Sequence, residues 1–301
     1  MNKARFAPLL GILLSILWGL SCLSIKVAVV EIPPMTMAVA RFVIACSVLP
    51  LVARLTGESL RVAAADLPGL AAGGITGVTL YFYGENHGIA LLSASESSLL
   101  LSFIPVMAVL AERVFQGVRL GPRVYVGAVL SAAGVVLIAA HSAGTTSSRL
   151  GYLFMAVAVL AWVAYGQVTH RLAGRYGLIT VSFWQCLFGL AGCVPFALAE
   201  SAAWRVPGAV AVWNVVFLGV LCSAAGYWLY IVTLKVMGSG RASIYINLIP
   251  VVAVAASFLI LGERLGALQL LGGAVVVLGV FLATGPSGWF NPVRRLLAAF
   301  A

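Results

Sequence analysis

Charge is scarce in this chain. Only 9% of its 301 residues are charged, and 8 are Asp or Glu. A soluble domain needs roughly a quarter to a third of its surface charged, so a soluble enzyme or binding module is excluded. Close cysteine pairs are missing as well. Cys22, Cys46, Cys186, Cys193 and Cys222 fall inside apolar runs and none forms a CxxC. They read as small buried apolar residues, not disulfides or metal ligands. P-loop, HExxH, GxSxG and zinc-ligand spacings are absent. ATP-driven pumping and hydrolysis within this chain therefore lack support, and no cofactor or metal is expected.

Apolar sequence takes the place of all this. The hydrophobic fraction is 62% and mean hydropathy +1.11. A spanning helix needs about 20 mainly apolar residues. Charges, Gly and Pro punctuate the chain into ten such runs: Pro8–Val30, Pro34–Arg54, Leu67–Leu91, Ala94–Phe115, Pro122–Ala140, Leu150–His170, Ile179–Ala199, Ala209–Val232, Ser239–Leu261 and Gly266–Thr284. The runs are continuously apolar rather than alternating with period two, which predicts an all-α membrane protein and not a barrel. The first run is longer than a signal-peptide core and no small-residue cleavage site ends it, so it is expected as a retained span.

The net charge of +10 fits insertion better than nucleic-acid binding. With the N-terminus inside, 13 basic residues fall at inner ends and loops, from Lys3 and Arg5 to Arg294 and Arg295. Three fall outside: Arg149, Arg205 and Arg264. Lys and Arg accumulate on the cytoplasmic side, so both termini are expected there, in a bacterial-type inner membrane. Residues 286–301 form a short cytoplasmic tail, either interfacial or frayed.

The halves resemble each other. A shift of 145 lays Leu101–Val106 (LSFIPV) on Ile246–Val251 (INLIPV) and Gly117–Gly121 (GVRLG) on Gly262–Gly266 (GERLG). The same shift pairs Gly127 with Gly272, Gly134 with Gly279 and Val135 with Val280. A shift of 144 pairs Trp18 with Trp162 and Arg41 with Gln185. Five runs per half force the second half upside down in the membrane. Such inverted repeats place a substrate site near the midplane between them. The expected units are residues 1–146 and 147–285.

Several residues carry a family resemblance. They are Trp18–Gly19, Lys26, Arg41–Phe42, Ala90–Leu91 before Ser93–Ala94, and Pro105. In the second half they are Pro250, Gly262–Glu263–Arg264, Gly272 and Gly279. In their order the chain resembles the EamA-type branch of the drug/metabolite transporter superfamily. The resemblance implies ten helices in two inverted five-helix repeats, cytoplasmic termini and alternating access; many members export amino acids or related metabolites. One departure is visible: Glu263 faces Val118 in the first repeat, with Glu112 nearby.

Ionisable residues inside spans are costly and need a partner or water. Lys26, Arg41, Glu85, His87 and Glu96 lie at similar depth in the first half. They read as a network that closes the outer mouth or meets charged ends of a substrate; snorkelling is the alternative for Lys26 and Glu96. A histidine can change charge near neutral pH, making His87 a candidate for proton coupling, against the plainer role of a satisfied hydrogen-bonding residue. Trp18, Tyr81, Asn86, Trp162, Tyr165, Gln167, Tyr227, Trp228, Tyr245 and Asn247 are candidate cavity residues, since pockets are mostly apolar with a few directed polar groups. Interfacial aromatic belts compete with that reading. Pro105 and Pro250 are candidate bending points, or static kinks. The span glycines are expected to permit close helix packing. Glu263 and Arg264 are expected to form local structure.

The leading function is a secondary carrier of a small polar metabolite. The expected partners are that substrate, membrane lipid, and protons or a counter-solute; the oligomeric state is left open. A membrane enzyme acting on lipid would need its acids clustered, and they are dispersed. A channel or scaffold is the other alternative, and a scaffold needs no charges at Arg41 and Glu85.

Overall fold

The computed structural model describes residues 3–117, 119–142, 149–170, 172, 175–226, 229 and 248–284. Every apolar run within them folds as helix, and no strand occurs among the described residues. We number the helical segments along the chain. α1 is Lys3–Ala28 and α2 is Pro34–Thr56. α3 covers 67–91 as Leu67–Gly74, a π turn Ile75–Leu80, and Tyr81–Leu91. α4 is broken into Ala94–Leu101 and Ile104–Gln116. α5 is Pro122–Ser142, α6 Arg149–His170 and α7 Leu178–Ala199. α8 comprises Ala209–Phe217 and a π turn Leu218–Ala225. α9 comprises Ile249–Ala256 and a π turn Ser257–Leu261, and α10 is Ala267–Thr284.

Five stretches are long and apolar enough to cross a membrane: Leu9–Ala28, Pro34–Thr56, Ala94–Phe115, Arg149–Thr169 and Leu178–Ala199. Shorter apolar helices occupy 122–138, 209–225, 249–261 and 267–283. Large apolar side chains such as Val129, Leu160, Leu259 and Leu271 point outward rather than into the core, as expected where lipid replaces water.

Glycine sets the closest helix approaches. α5 and α10 run antiparallel and cross twice. A Cβ on Gly127 would lie 2.5 Å from the Gly279 carbonyl oxygen, and one on Gly134 would lie 2.6 Å from that of Gly272. Midway, Ser131 Oγ donates to the Val276 carbonyl at 3.1 Å. Close packing is thus the role of these four glycines. Gly117 and Gly262, repeat mates at the ends of α4 and α9, adopt φ of 69° and 65°. That left-handed conformation ends a helix cheaply only for glycine.

Two sequence expectations change here. Pro105 does not kink a continuous helix. The chain breaks at Ser102–Phe103, and Pro105 sits in the first turn of the segment that follows, where its missing N–H costs nothing. Pro250 occupies the equivalent first turn in α9. Pro50 in α2 and Pro195 in α7, another pair separated by 145, do lie inside unbroken helices. Secondly, Glu263 is not local structure. Its carboxylate accepts from Ala94 N, Ser95 N and Ser95 Oγ at 2.8–3.0 Å, capping α4 from the far end of the chain.

Three other glutamates cap distant helices in the same way. α2 and α7 pack side by side, antiparallel. Glu58, just past the end of α2, accepts from Thr180 N and Oγ1 at the start of α7. Glu200, at the end of α7, accepts from Met35 N, Thr36 N and Thr36 Oγ1 at the start of α2. Each helix thus carries the cap of the other. A helix start leaves N–H groups unpaired and bears a partial positive charge, so a carboxylate there contributes about 1 kcal/mol. Glu31 likewise accepts from Gly208 N at the start of α8.

Candidate functional site

Three helices bring the buried charges together. α2 supplies Arg41, α3 supplies Glu85, and the π turn of α8 supplies Ser223. A π turn widens the helix by one residue per turn and re-aims side chains, often at functional sites. The two π turns in α3 and α8 fall at matching repeat positions. Gly219 lets the α8 turn touch α2, since a Cβ there would lie 2.8 Å from Ile44 Cβ and 3.0 Å from the Arg41 carbonyl. Gly74 does the same for the α3 turn against Gln185 on α7.

Arg41 is 7% exposed and Glu85 4%. The Arg41 Nε donates to Ser223 Oγ at 2.8 Å. Its guanidinium lies 4.5 Å from the centre of the Phe82 ring, in cation–π contact. Its two Nη groups make no hydrogen bond among the described residues, yet they are not sealed from the surface. Glu85 Oε1 accepts from Tyr81 Oη at 2.9 Å, and Oε2 has no hydrogen-bond partner among the described residues. Arg41 and Glu85 do not form an ion pair within 4 Å, though Arg41 is near enough to act electrostatically on Glu85 and on Cys22 and Cys222. The arrangement offers a cationic fork and a carboxylate within electrostatic reach of each other in an apolar surround, each with hydrogen-bonding capacity to spare among the described residues.

Aromatic rings extend the site. Tyr81 meets Phe82 edge to face and Trp162 at a tilt, with centroids 4.9 and 4.8 Å apart, and Trp162 meets Tyr165 at 5.2 Å. Tyr165 Oη donates to Gln185 Oε1 at 3.2 Å, and Gln185 Nε2 donates to Thr169 Oγ1 at 2.9 Å. Trp18, the repeat mate of Trp162, donates from Nε1 to the Cys222 carbonyl at 3.0 Å, beside Gly226. Gln167 is half-buried on α6.

The other predicted residues gather at one end of the bundle. Lys26 Nζ donates to the carbonyls of Ile89, Ala90 and Leu92 at 2.6–3.2 Å, closing the end of α3. Two residues on, Glu263 caps the start of α4. The α3–α4 elbow is therefore gripped by a cation on its carbonyls and an anion on its amides, both in favourable dipole positions. Glu96, 1% exposed, accepts from Tyr152 Oη. Asn86 Nδ2 donates to the Pro34 carbonyl at 2.9 Å. His87 Nε2 lies 3.9 Å from Glu200, its Nδ1 is 2.7 Å from the Tyr83 carbonyl, and its ring stacks on Phe154 at 4.9 Å. The expected network of Lys26, Arg41, Glu85, His87 and Glu96 thus divides: Arg41 acts on Glu85, while Lys26, His87 and Glu96 each meet other partners. Tyr227, Trp228, Tyr245 and Asn247 lie outside the described residues.

Sequence reasoning missed Ser223, Phe82 and the glutamate caps. The pairs Thr36/Thr180 and Pro50/Pro195, visible at shifts of 144 and 145, pointed to the α2–α7 clamp.

The model of the EamA-like transporter family matches residues 5–140 and again 149–285. This chain belongs to that family. It is a multi-pass membrane protein of a transporter family, and its substrate is a small molecule. A probable terminal-alkyne amino-acid exporter of Streptantibioticus cattleyicolor is 31% identical over 94% of this chain and 93% of its own length. An uncharacterized transporter of Archaeoglobus fulgidus is 28% identical over 88% of this chain and 94% of its own. A probable amino-acid metabolite efflux pump of Escherichia coli is 24% identical over 97% and 99%. A solved crystal structure of a protein superposes with a TM-score of 0.67 at 22% identity, covering 97% of this chain and 99% of that one; it shows the shared fold.

Proposed function

We propose that this EamA-family chain is a secondary transporter that exports amino acids or closely related zwitterions by alternating access. The observation that carries the reading is the nearness of Arg41 and Glu85, whose Nη edge and Oε2 have no hydrogen-bond partner among the described residues. A carboxylate of the substrate meets the first and its ammonium meets the second. Similarity to two proteins named for amino-acid export supports the same class. In this reading the chain crosses a bacterial-type inner membrane ten times, as two inverted five-helix repeats with both termini cytoplasmic. The reciprocal caps of α2 and α7 support inversion, because Glu58 and Glu200 close opposite ends of one antiparallel pair. Lys26, Glu96 and Glu263 then belong to the closure of the outer mouth, His87 beside Glu200 is the candidate for proton coupling, and the break at Ser102–Phe103 ahead of Pro105 is the bending point.

Flux into proteoliposomes over a panel of radiolabelled amino acids tests this. Saturable uptake with counterflow, without ATP, is expected for at least one zwitterion. Saturation with no counterflow, or a requirement for ATP, would sink the secondary-carrier reading. Reporter fusions after Ser147 and Gly288 are expected to read outside and inside respectively; two inside readings would refute the ten-span count.

A further inference from the structure

Arginine can grip a carboxylate by either of two edges: side-on through Nε and one Nη, or end-on through both Nη groups. In this site the side-on edge is occupied, because Nε is bonded to Ser223. One face of the guanidinium is covered by Phe82. Among the described residues nothing bonds the end-on fork.

We infer that Ser223 is a positioning residue for substrate specificity: it takes the Nε edge of Arg41 so that the site accepts a planar carboxylate end-on. This rests on the reading of Arg41 as the carboxylate-binding group. The repeat explains why the hydroxyl is free for the task. Its mate, Thr79, sits at the end of the α3 π turn and donates to the Gly189 carbonyl at 3.0 Å. Gln185, the mate of Arg41, lies against Gly73 and Gly74 and is satisfied by Tyr165 and Thr169. So the same turn in two copies holds a backbone carbonyl in one and a cation in the other. Ser223 is 1% exposed and Gly219 presses its turn against α2, which holds the hydroxyl in the seam between the two helices. An unrestrained guanidinium on four flexible bonds would instead rotate, and its fork would spend less time facing the substrate.

The test uses the full chain in proteoliposomes, with whichever of the twenty proteinogenic amino acids gives saturable flux and its carboxamide as competitor. Ser223→Val and Ser223→Thr match each other in shape and differ in the hydroxyl; Ser223→Ala gives the same contrast with less volume should valine fail to insert. The variant lacking the hydroxyl is expected to raise KM about tenfold with Vmax within twofold, and to lose preference for acid over carboxamide. Threonine is expected to restore both. Unchanged KM in the hydroxyl-free variant, while Arg41→Gln abolishes flux, overturns the inference and leaves the functional reading standing. A fall in Vmax alone, shared by valine and threonine, also overturns it, since that marks a purely structural role. Normal saturation in Arg41→Gln, or no saturable amino acid at all, overturns the functional reading and the inference with it.

Discussion

Residues 34–91 and 178–226 carry the same scaffold twice and different chemistry. The glutamate cap, the helix-interior proline and the glycine under the π turn recur at shifts of 142 to 145. At the centre the copies part. Arg41 faces Ser223 in one, Gln185 faces Tyr165 and Thr169 in the other. Packing tolerates duplication because shape is what it requires. A binding site for a molecule with unlike ends does not, because two identical charged halves would repel one end of it. The difference teaches that charge, not fold, was placed asymmetrically.

The comparison breaks most sharply if the centre is made symmetric. Arg41→Gln gives both halves the same amide and is expected to cut flux at least a hundredfold while the protein still inserts. Glu85→Gln is expected to do nearly as much. Adding Gln185→Arg to Arg41→Gln should not restore flux, since Thr79, the mate of Ser223, commits its hydroxyl to the Gly189 carbonyl. Recovery in the exchanged variant, read as saturable flux in proteoliposomes, would show the halves to be interchangeable after all.

Smaller effects sharpen the scaffold side. Gly134→Leu drives a side chain into the Gly272 backbone, and its mate Gly279→Leu into that of Gly127. Overpacking of this kind costs about 1–3 kcal/mol. Both variants are expected to lower the detergent unfolding midpoint by similar amounts, and one silent variant would end the equivalence. Glu58→Ala and Glu200→Ala each strand amides at a helix start, at about 1 kcal/mol. Near-equal drops in the same measurement are expected. A larger loss at Glu200 would assign extra weight to its neighbour His87.

Much of this was legible in the chain as text. Continuous apolar runs dictate helices because a lipid surround leaves backbone groups no other partner. The repeat was readable because glycine at a crossing and proline in a first turn tolerate few substitutes. Arg41 and Glu85 stood out because charge inside a span is costly. The caps were not legible. Glu58 and Thr180 are 122 residues apart, and a glutamate just past a helix end looks like any solvated loop residue. The π turns were not legible either, since one extra residue per turn leaves no compositional trace.

The sequence by itself determined that this chain is helical, duplicated and membrane-bound, since hydropathy, glycine and proline act locally and at fixed spacing. It also named Arg41 and Glu85. The tertiary structure alone decided that they share a centre without pairing, that Lys26 and Glu263 grip one elbow, and that Ser223 holds the arginine. Those are contacts between helices far apart in the chain, and no local energy term encodes which distant hydroxyl a guanidinium will meet.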